Sequence, residues 1–304
     1  MLSTLSRDLA DAVEHAGRSV VAIHARRRIP SSGVLWQPGV IVTANHTVQR
    51  DEDIVVSLGS GRPVPVTLAG RDPSTDLAVL RMEGTAVPPV ERGEAADLQA
   101  GRLVLALGRP GPNITASLGL VSTVGSEWRT WQGGKVDRFV RLDLAIYDGF
   151  SGGALVEASG KVLGINTSGL SRAVALMLPA VTVDRVTEQL LATGRVRRGS
   201  LGIAVQPVRL PGGGLGLMIV NLEPGGTAQS AGLLLGDIIV GIDDRDVGDP
   251  MDLLATLGPE RVGQPVVAKI LRAGEPRTVT VTVGERTVSG GYSRGRGRNA
   301  SARR

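Results

Sequence analysis

From about residue 19 to 180 the chain repeats one pattern: short runs of Val, Ile, Leu and Thr, broken every 8 to 12 residues by Gly, Pro, Asn or Asp. SVVAIHAR, GVIVTANH, DIVVSLG, PVPVTLAG, DLAVLRM, RLVLALG and DRFVRLDLAI are examples. Many short strands with turn residues at that spacing predict an all-β barrel or sandwich. Two segments depart from the rhythm. At the start, Leu2, Leu5, Leu9, Ala12 and Val13 recur at helical spacing, which predicts a short amphipathic helix packed on the body. At 181–196, Val183, Val186, Leu190 and Leu191 do the same, and a helix there closes the β-rich region. A second unit follows from about 199 to 285. Strands are expected at SLGIAVQPV, GLMIVNLE, DIIVGIDD, PVVAKILR and TVTVTVG, and helices at TAQSAGL and DPMDLLATL, which makes a small α+β module.

Length and composition fit this division. A chain of 304 residues exceeds one small core and accommodates two domains. With 42% apolar and 21% charged residues it is globular in composition, and no apolar run approaches the length of a membrane span. Residues 286–304 carry six arginines and no acid, so the net charge of +5 leaves −1 for the rest. The basicity belongs to this segment, GGYSRGRGRNASARR in the main, which has almost no apolar surface to bury and is expected to be disordered. Its arginines could contact nucleic acid phosphates, but a single aromatic, Tyr292, offers little stacking, and a solvated basic end is the favoured reading. Zero cysteines exclude disulfides and thiol catalysis, and three histidines do not read as a histidine-rich metal site. No metal and no cofactor is expected.

One stretch carries candidate chemistry. DGFSGGALVEASGKVLGINTSGL, residues 148–170, sets Ser151 among glycines between two apolar segments. A serine in such a run is ordinary turn chemistry by itself. As a nucleophile it needs a base and an orienting carboxylate, since its hydroxyl is weakly reactive at its free pKa. His46, at the end of the apolar run IVTANHTV, and Asp76, in DPSTDLAVLRM just before another strand, supply them in the chain order His, Asp, Ser. Each is unremarkable alone. Together they match a triad in which imidazole takes the serine proton, a buried carboxylate fixes the tautomer, and backbone N–H groups receive the oxyanion. Glycines 149, 152 and 153 allow a bend sharp enough to aim the amides of Gly149 and Ser151 at one point. PGGGLGL, by contrast, lacks the strand-then-helix setting of a dinucleotide site and reads as a loop.

The segments SSGVLWQPGVIVTANHTV, VTLAGRDPSTDLAVLRM, VLALGRPGPNITASLGLVSTVG and RFVRLDLAIYDGFSGGALVEASGKVLGINTSG resemble, in that order, the protease domain of the HtrA family of trypsin-like serine proteases. RGSLGI and PGGTAQSAGLLLGDIIVGIDD resemble the PDZ domain that follows it there. The resemblance implies a mainly β fold, a chymotrypsin-like double β-barrel followed by a small α+β PDZ domain. It divides the chain into an N-terminal helix (1–18), a protease domain (19–190), a linker (191–198), a PDZ domain (199–285) and the basic tail (286–304). It implies a serine endopeptidase with His46, Asp76 and Ser151 as triad and the amides of Gly149 and Ser151 as oxyanion hole, a role in protein quality control, and often trimers. The N-terminal region has no aromatic before Trp36 for such trimer contacts.

This sequence departs from the family at the oxyanion loop. Phe150 stands where the family usually has Asn, and Tyr147-Asp148 where it tends to have Asn-Pro. A ring cannot make an amide's polar contacts, so the loop is either supported differently or ordered by substrate. Ala145, six residues before the serine, leaves a basic P1 side chain uncompensated and favours small or medium aliphatic ones. In the PDZ mode a peptide adds as a strand and its carboxylate meets successive amides; Ser200, Leu201, Gly202 and Ile203 are the expected loop, with Arg198 as a nearby charge and Leu254 as a pocket residue. The expected partners are polypeptide substrates and C-terminal peptides. A cytoplasmic location is expected, because Asp8, Asp11 and Glu14 interrupt what would be the apolar centre of an export signal. The rival function is a catalytically inactive protease-fold scaffold whose PDZ domain binds protein C-termini.

Overall fold

The computed structural model describes residues 2–59, 61–84, 87–171 and 174–286. The chain separates into two compact units, divided between Val196 and Arg197. The first unit opens with α1 (Leu2–Gly17), which buries Ala12, Ala16 and Gly17, while Leu9 and Val13 pack against the core. Leu2 and Leu5 lie on the same stripe but are exposed, so the apolar pattern overreaches the packed part of the helix by its first turns.

Six strands then close a barrel: β1 (Val20–His24), β2 (Ser31–Gln37), β3 (Val40–Ala44), β4 (Ile54–Ser57), β5 (Val64–Asp72) and β6 (Leu77–Arg81), in the order β1-β2-β3-β6-β5-β4. Six of the following strands close a second one: β7 (Leu103–Gly108), β8 (Thr115–Val124), β11 (Val140–Asp143), β12 (Ala154–Glu157), β13 (Val162–Thr167) and β14 (Ala175–Pro179), in the order β11-β14-β13-β12-β7-β8. Between β8 and β11 a small hairpin, β9 (Trp128–Arg129) and β10 (Lys135–Val136), stands apart from both barrels. All pairings within the barrels are antiparallel. Closure leaves no strand edge to protect.

Each barrel has its own apolar interior, Ile23, Leu35, Ile41 and Leu80 among the residues of the first and Leu142, Phe150, Leu155 and Leu163 among those of the second. A third cluster joins residues of both, including Val42, Leu77 and Val79 with Leu105, Leu107 and Ile165. α2 (Ala180–Thr193) lays Val183, Val186 and Leu190 on it and stops where Gly194 takes a left-handed conformation (φ 72°).

The second unit holds β15 (Gly199–Ser200), β16 (Ile203–Arg209), β17 (Leu215–Leu222), α3 (Thr227–Ser230), β18 (Ile238–Ile242), β19 (Arg245–Asp246), α4 (Pro250–Thr256), β20 (Pro265–Arg272), β21 (Glu275–Thr282) and β22 (Gly284–Glu285). Its main sheet runs β16-β17-β18-β20-β21 around a core that includes Leu201, Leu217, Ile239, Leu253 and Ile270. The expected strand SLGIAVQPV is split: β15 pairs with β22, Gly202 turns at φ 69°, and β16 joins β17. α4 starts on a reciprocal cap, Asp249 receiving the Met251 N–H at 2.7 Å and Asp252 the Asp249 N–H at 3.1 Å, with Pro250 in the first turn. The basic tail beyond Arg286 lies outside the described residues, and so does the expectation placed on it.

Candidate active site

The first barrel supplies two of the three predicted triad residues. β3 ends at Ala44 and the chain turns through a short 3₁₀ segment, Asn45–Thr47, that projects His46. Asp76 sits in the turn between β5 and β6 at φ 58°, a left-handed conformation costly for a residue with a Cβ. Its surroundings hold it there. The Asp72 carboxylate accepts from Ser74 N–H at 3.2 Å, Ser74 Oγ at 2.6 Å and Thr75 Oγ1 at 2.7 Å, and Asn45 N–H donates to the Asp76 carbonyl at 2.9 Å.

The buried Asp76 carboxylate is then shared out. Oδ1 accepts the His46 backbone N–H at 2.8 Å, and Oδ2 lies 2.7 Å from His46 Nδ1. Thr167 Oγ1, from the end of β13 in the second barrel, also donates to Oδ2. The bond to Nδ1 fixes that nitrogen as the protonated one and leaves Nε2 as the basic one. The His46 side chain is 37% exposed and that of Asp76 4%, so the carboxylate is inside and the imidazole reaches solvent.

Ser151 comes from the second barrel, in the loop between β11 and β12. Asp143 ends β11, so the second half of DRFVRLDLAI is loop rather than strand. Gly149, at φ +91°, forms a turn in which Phe150 N–H donates to the Tyr147 carbonyl at 3.0 Å. Among the described residues, neither the Gly149 nor the Ser151 amide N–H donates to a protein acceptor. Two free donors two residues apart on a tight turn are what an oxyanion requires. Phe150 is fully buried in the core of the second barrel, edge-on to Tyr147 at 5.3 Å between centroids. Gly108 makes room for it, since a Cβ there would stand 2.7 Å from Phe150 Cδ1. The ring therefore roots the loop by apolar packing.

The Ser151 hydroxyl is partnered by Ser168, at 3.0 Å from Ser168 Oγ and 3.3 Å from the Ser168 N–H, and not by His46. Three consecutive residues thus touch the three members of the triad. Thr167 holds Asp76, Ser168 holds Ser151, and Gly169 lies against the histidine–aspartate pair, where a Cβ would come within 2.5 Å of both Asp76 Oδ2 and His46 Nδ1. Thr167, Ser168 and Gly169 escaped the sequence reading as site residues; their position a fixed distance beyond the serine, at the end of the apolar run VLGINT, was the available signal.

Ala145 lies exposed in the loop that leads to Ser151. In the second unit Leu201 is buried, while Ser200, Gly202 and Ile203 are half-buried and lead into β16, whose outer edge has no paired strand among the described residues. Gly202 N–H donates to Ser200 Oγ at 3.0 Å. Leu254 is half-buried on α4, which packs against β16.

Residues 31–165 match the family model of the trypsin-like peptidase domain, and residues 199–283 that of the PDZ domain. Among solved structures, the HtrA-type protease AlgW with tripeptide is 31% identical and superposes with a TM-score of 0.73, covering 92% of this chain and 97% of that one. The chain belongs to the HtrA family of serine proteases. The serine endoprotease from Yersinia pestis is a further structural neighbour, 29% identical with a TM-score of 0.76 over 92% of this chain and 98% of that one. Curated relatives include probable periplasmic serine endoproteases, DegP-like, from Halomonas elongata (34% identity over 273 residues, 86% of this chain and 57% of the relative) and Brucella suis (33% over 276 residues, 86% and 53%). This HtrA chain thus spans little more than half the length of those curated relatives.

Those names overturn the expected cytoplasmic location, since they point to the periplasm. The expectation read the acids of the first helix as a statement about export. Asp8, Asp11 and Glu14 are instead solvent-facing positions of α1, whose other face is part of the folded body, and carry no address. Among the described residues, no helix is long and apolar enough to cross a membrane.

Proposed function

We propose that this HtrA-family chain is a serine endopeptidase that cleaves polypeptides through an acyl-enzyme at Ser151. The observation that carries the reading is the hydrogen-bonded His46–Asp76 pair, 2.7 Å from Nδ1 to Oδ2, joined through Thr167, Ser168 and Gly169 to a serine whose loop presents two free amide donors. To react, the Ser151 hydroxyl turns from Ser168 toward His46. Oγ bonds to the scissile carbonyl carbon while its proton passes to His46 Nε2, and the carbonyl oxygen takes the negative charge between the Gly149 and Ser151 amides. Collapse of that intermediate breaks the C–N bond, and the imidazolium gives its proton to the leaving amine. Water then hydrolyses the ester by the same route in reverse. The Asp76 carboxylate orients the ring and stabilises the imidazolium.

The PDZ unit, in this reading, takes the C-termini of substrates or regulatory peptides. An extended peptide would pair with the open edge of β16, its last side chain beside Leu254 and its carboxylate at the amides of residues 200–203, where it would replace Ser200 Oγ as acceptor for Gly202 N–H. Arg198 adds a favourable charge nearby. Binding of chain ends together with endoproteolysis suits the removal of unfolded or damaged proteins, the quality-control role proposed here.

Labelling with a fluorophosphonate tests the reading. Wild type should label and Ser151→Ala should not, and peptides with hydrophobic C-termini should change the rate, while the same peptides amidated should not. Absence of labelling in every condition would replace the protease by the scaffold whose PDZ domain alone works.

A further inference from the structure

The oxyanion loop lacks a polar side chain at residue 150, and the structure shows what holds it in that place. Ser32, in β2 of the first barrel and fully buried, reaches across to the second: its Oγ donates to the Gly149 carbonyl at 2.6 Å and accepts the Arg109 backbone N–H at 2.7 Å. The direction of both bonds is fixed, because an amide N–H can only donate, so the serine proton is left for the carbonyl. That carbonyl belongs to the same peptide unit as Phe150 N–H, which donates to Tyr147 O at 3.0 Å. The peptide between the two oxyanion amides is therefore clamped at both ends, which fixes the piece of backbone from whose two sides Gly149 N–H and Ser151 N–H project.

Two further contacts set Ser32 under the loop. Gly152 passes so close over it that a Cβ would lie 2.2 Å from the Ser32 carbonyl, and that carbonyl is itself held by Thr43 Oγ1 at 2.7 Å. On the other side, the Arg109 guanidinium is buried against carbonyls at the end of α1 and beyond, donating to Gly17 O at 2.9 Å, Val20 O at 2.6 Å and Pro112 O at 2.8 Å. The residue whose N–H sets the direction of the Ser32 hydroxyl is thus anchored through its own side chain.

We infer that Ser32 is a positioning residue for the oxyanion hole, setting the Gly149–Phe150 peptide from the opposite barrel in place of the polar contact that residue 150 cannot make. This rests on the protease reading above. Removing an oxyanion donor outright costs about 10²–10³-fold, and a residue that acts by orienting two of them should cost roughly 10–100-fold. The test is phosphonylation of the full chain by a fluorophosphonate, followed as kinact and KI across pH, in wild type, Ser32→Ala and Ser32→Cys. The cysteine variant keeps the volume but is a weak donor, so it separates the hydrogen bond from cavity formation. Both variants should lose roughly 10–100-fold in kinact with KI within about twofold, and the midpoint of the acidic limb should stay in place because His46 and Asp76 are untouched. Wild-type kinact in both variants would overturn the role of Ser32 while leaving the protease intact, and so would a loss in Ser32→Ala that Ser32→Cys does not share. A loss accompanied by a shifted acidic limb would overturn it too, by showing a collapsed site. Failure of wild type itself to label would sink the protease reading on which the inference stands.

Discussion

The two halves of the site are built differently. On the first-barrel side, Asp76 is buried, strained at φ 58°, and accepts from His46 N–H, His46 Nδ1 and Thr167 Oγ1, with a second carboxylate, Asp72, stiffening its turn. On the second-barrel side, Ser151 sits on a glycine-rich turn with unoccupied amides and a hydroxyl turned to Ser168. The difference follows from what each side does in the proposed reaction. A permanent charge must be solvated by fixed donors, because an unpaired buried carboxylate is very costly. The oxyanion exists only for the lifetime of the intermediate, so its donors must stay free at rest and be held by geometry alone. One side is made rigid by giving both oxygens of the Asp76 carboxylate fixed donors. The other is made rigid while leaving donors unsatisfied.

That contrast can be broken from either side. Asp76→Asn should have the largest effect after loss of the nucleophile itself, lowering kcat about 10³–10⁴-fold because the wrong histidine tautomer is held, with labelling partly regained at high pH. Thr167→Val removes one of several donors to the same carboxylate and should lower kcat/KM about 10-fold, a hydrogen bond to a charged group being worth roughly 1.5–3 kcal/mol, with the remaining bonds compensating in part. Ser168→Ala should act in the opposite sense. Freeing the Ser151 hydroxyl from a neutral hydrogen bond should raise the labelling rate roughly 2–10-fold, and a fall would show that the Ser168 contact assists the reaction.

The smallest effect concerns the PDZ unit and marks the boundary of the contrast. Burial alone would raise the Asp237 carboxyl, but Arg272, bonded to both oxygens at 2.8 Å, and the Leu234 N–H at 2.8 Å hold it below the ordinary carboxylate range. The folded carboxyl then titrates below the unfolded one, near pH ~4, so its stabilisation is present above that value and is lost as pH falls through the lower folded one. Asp237→Asn should therefore lower the thermal midpoint of the PDZ unit at neutral pH by more than it does in acid, with fluorophosphonate labelling of Ser151 unchanged. An offset independent of pH would mean that the Asp237–Arg272 pair contributes shape and not charge.

The strands were largely readable because each is an apolar run ended by a turn residue, and the helix at Ala180–Thr193 because its period changes. The loop from 144 to 150 was not: LDLAI carries the alternation of a strand, yet Gly119 of β8 approaches so closely that a Cβ there would stand 2.2 Å from the Asp143 carbonyl, and pairing between β11 and β8 ends at Asp143. Ser32 was equally hidden. Its bonding partners lie 77 and 117 residues away, and nothing in SSGVLW distinguishes a serine that holds another barrel's loop from one that ends a strand.

The strand-rich character of the first unit, the α+β module after it, the order His46, Asp76, Ser151 and the glycines that let the serine loop turn are all written in the linear order of residues. These depend on local propensity and on residue types at short spacing, which the linear order preserves. Only the tertiary structure decided that Thr167 bonds Asp76 and Ser168 bonds Ser151, that Phe150 roots its loop in the second barrel, and that Ser32 clamps that loop from the first. Folding brings those groups within 3 Å or so of partners 17, 91 and 117 residues away in the chain, and hydrogen bonds and apolar contacts act only at such distances.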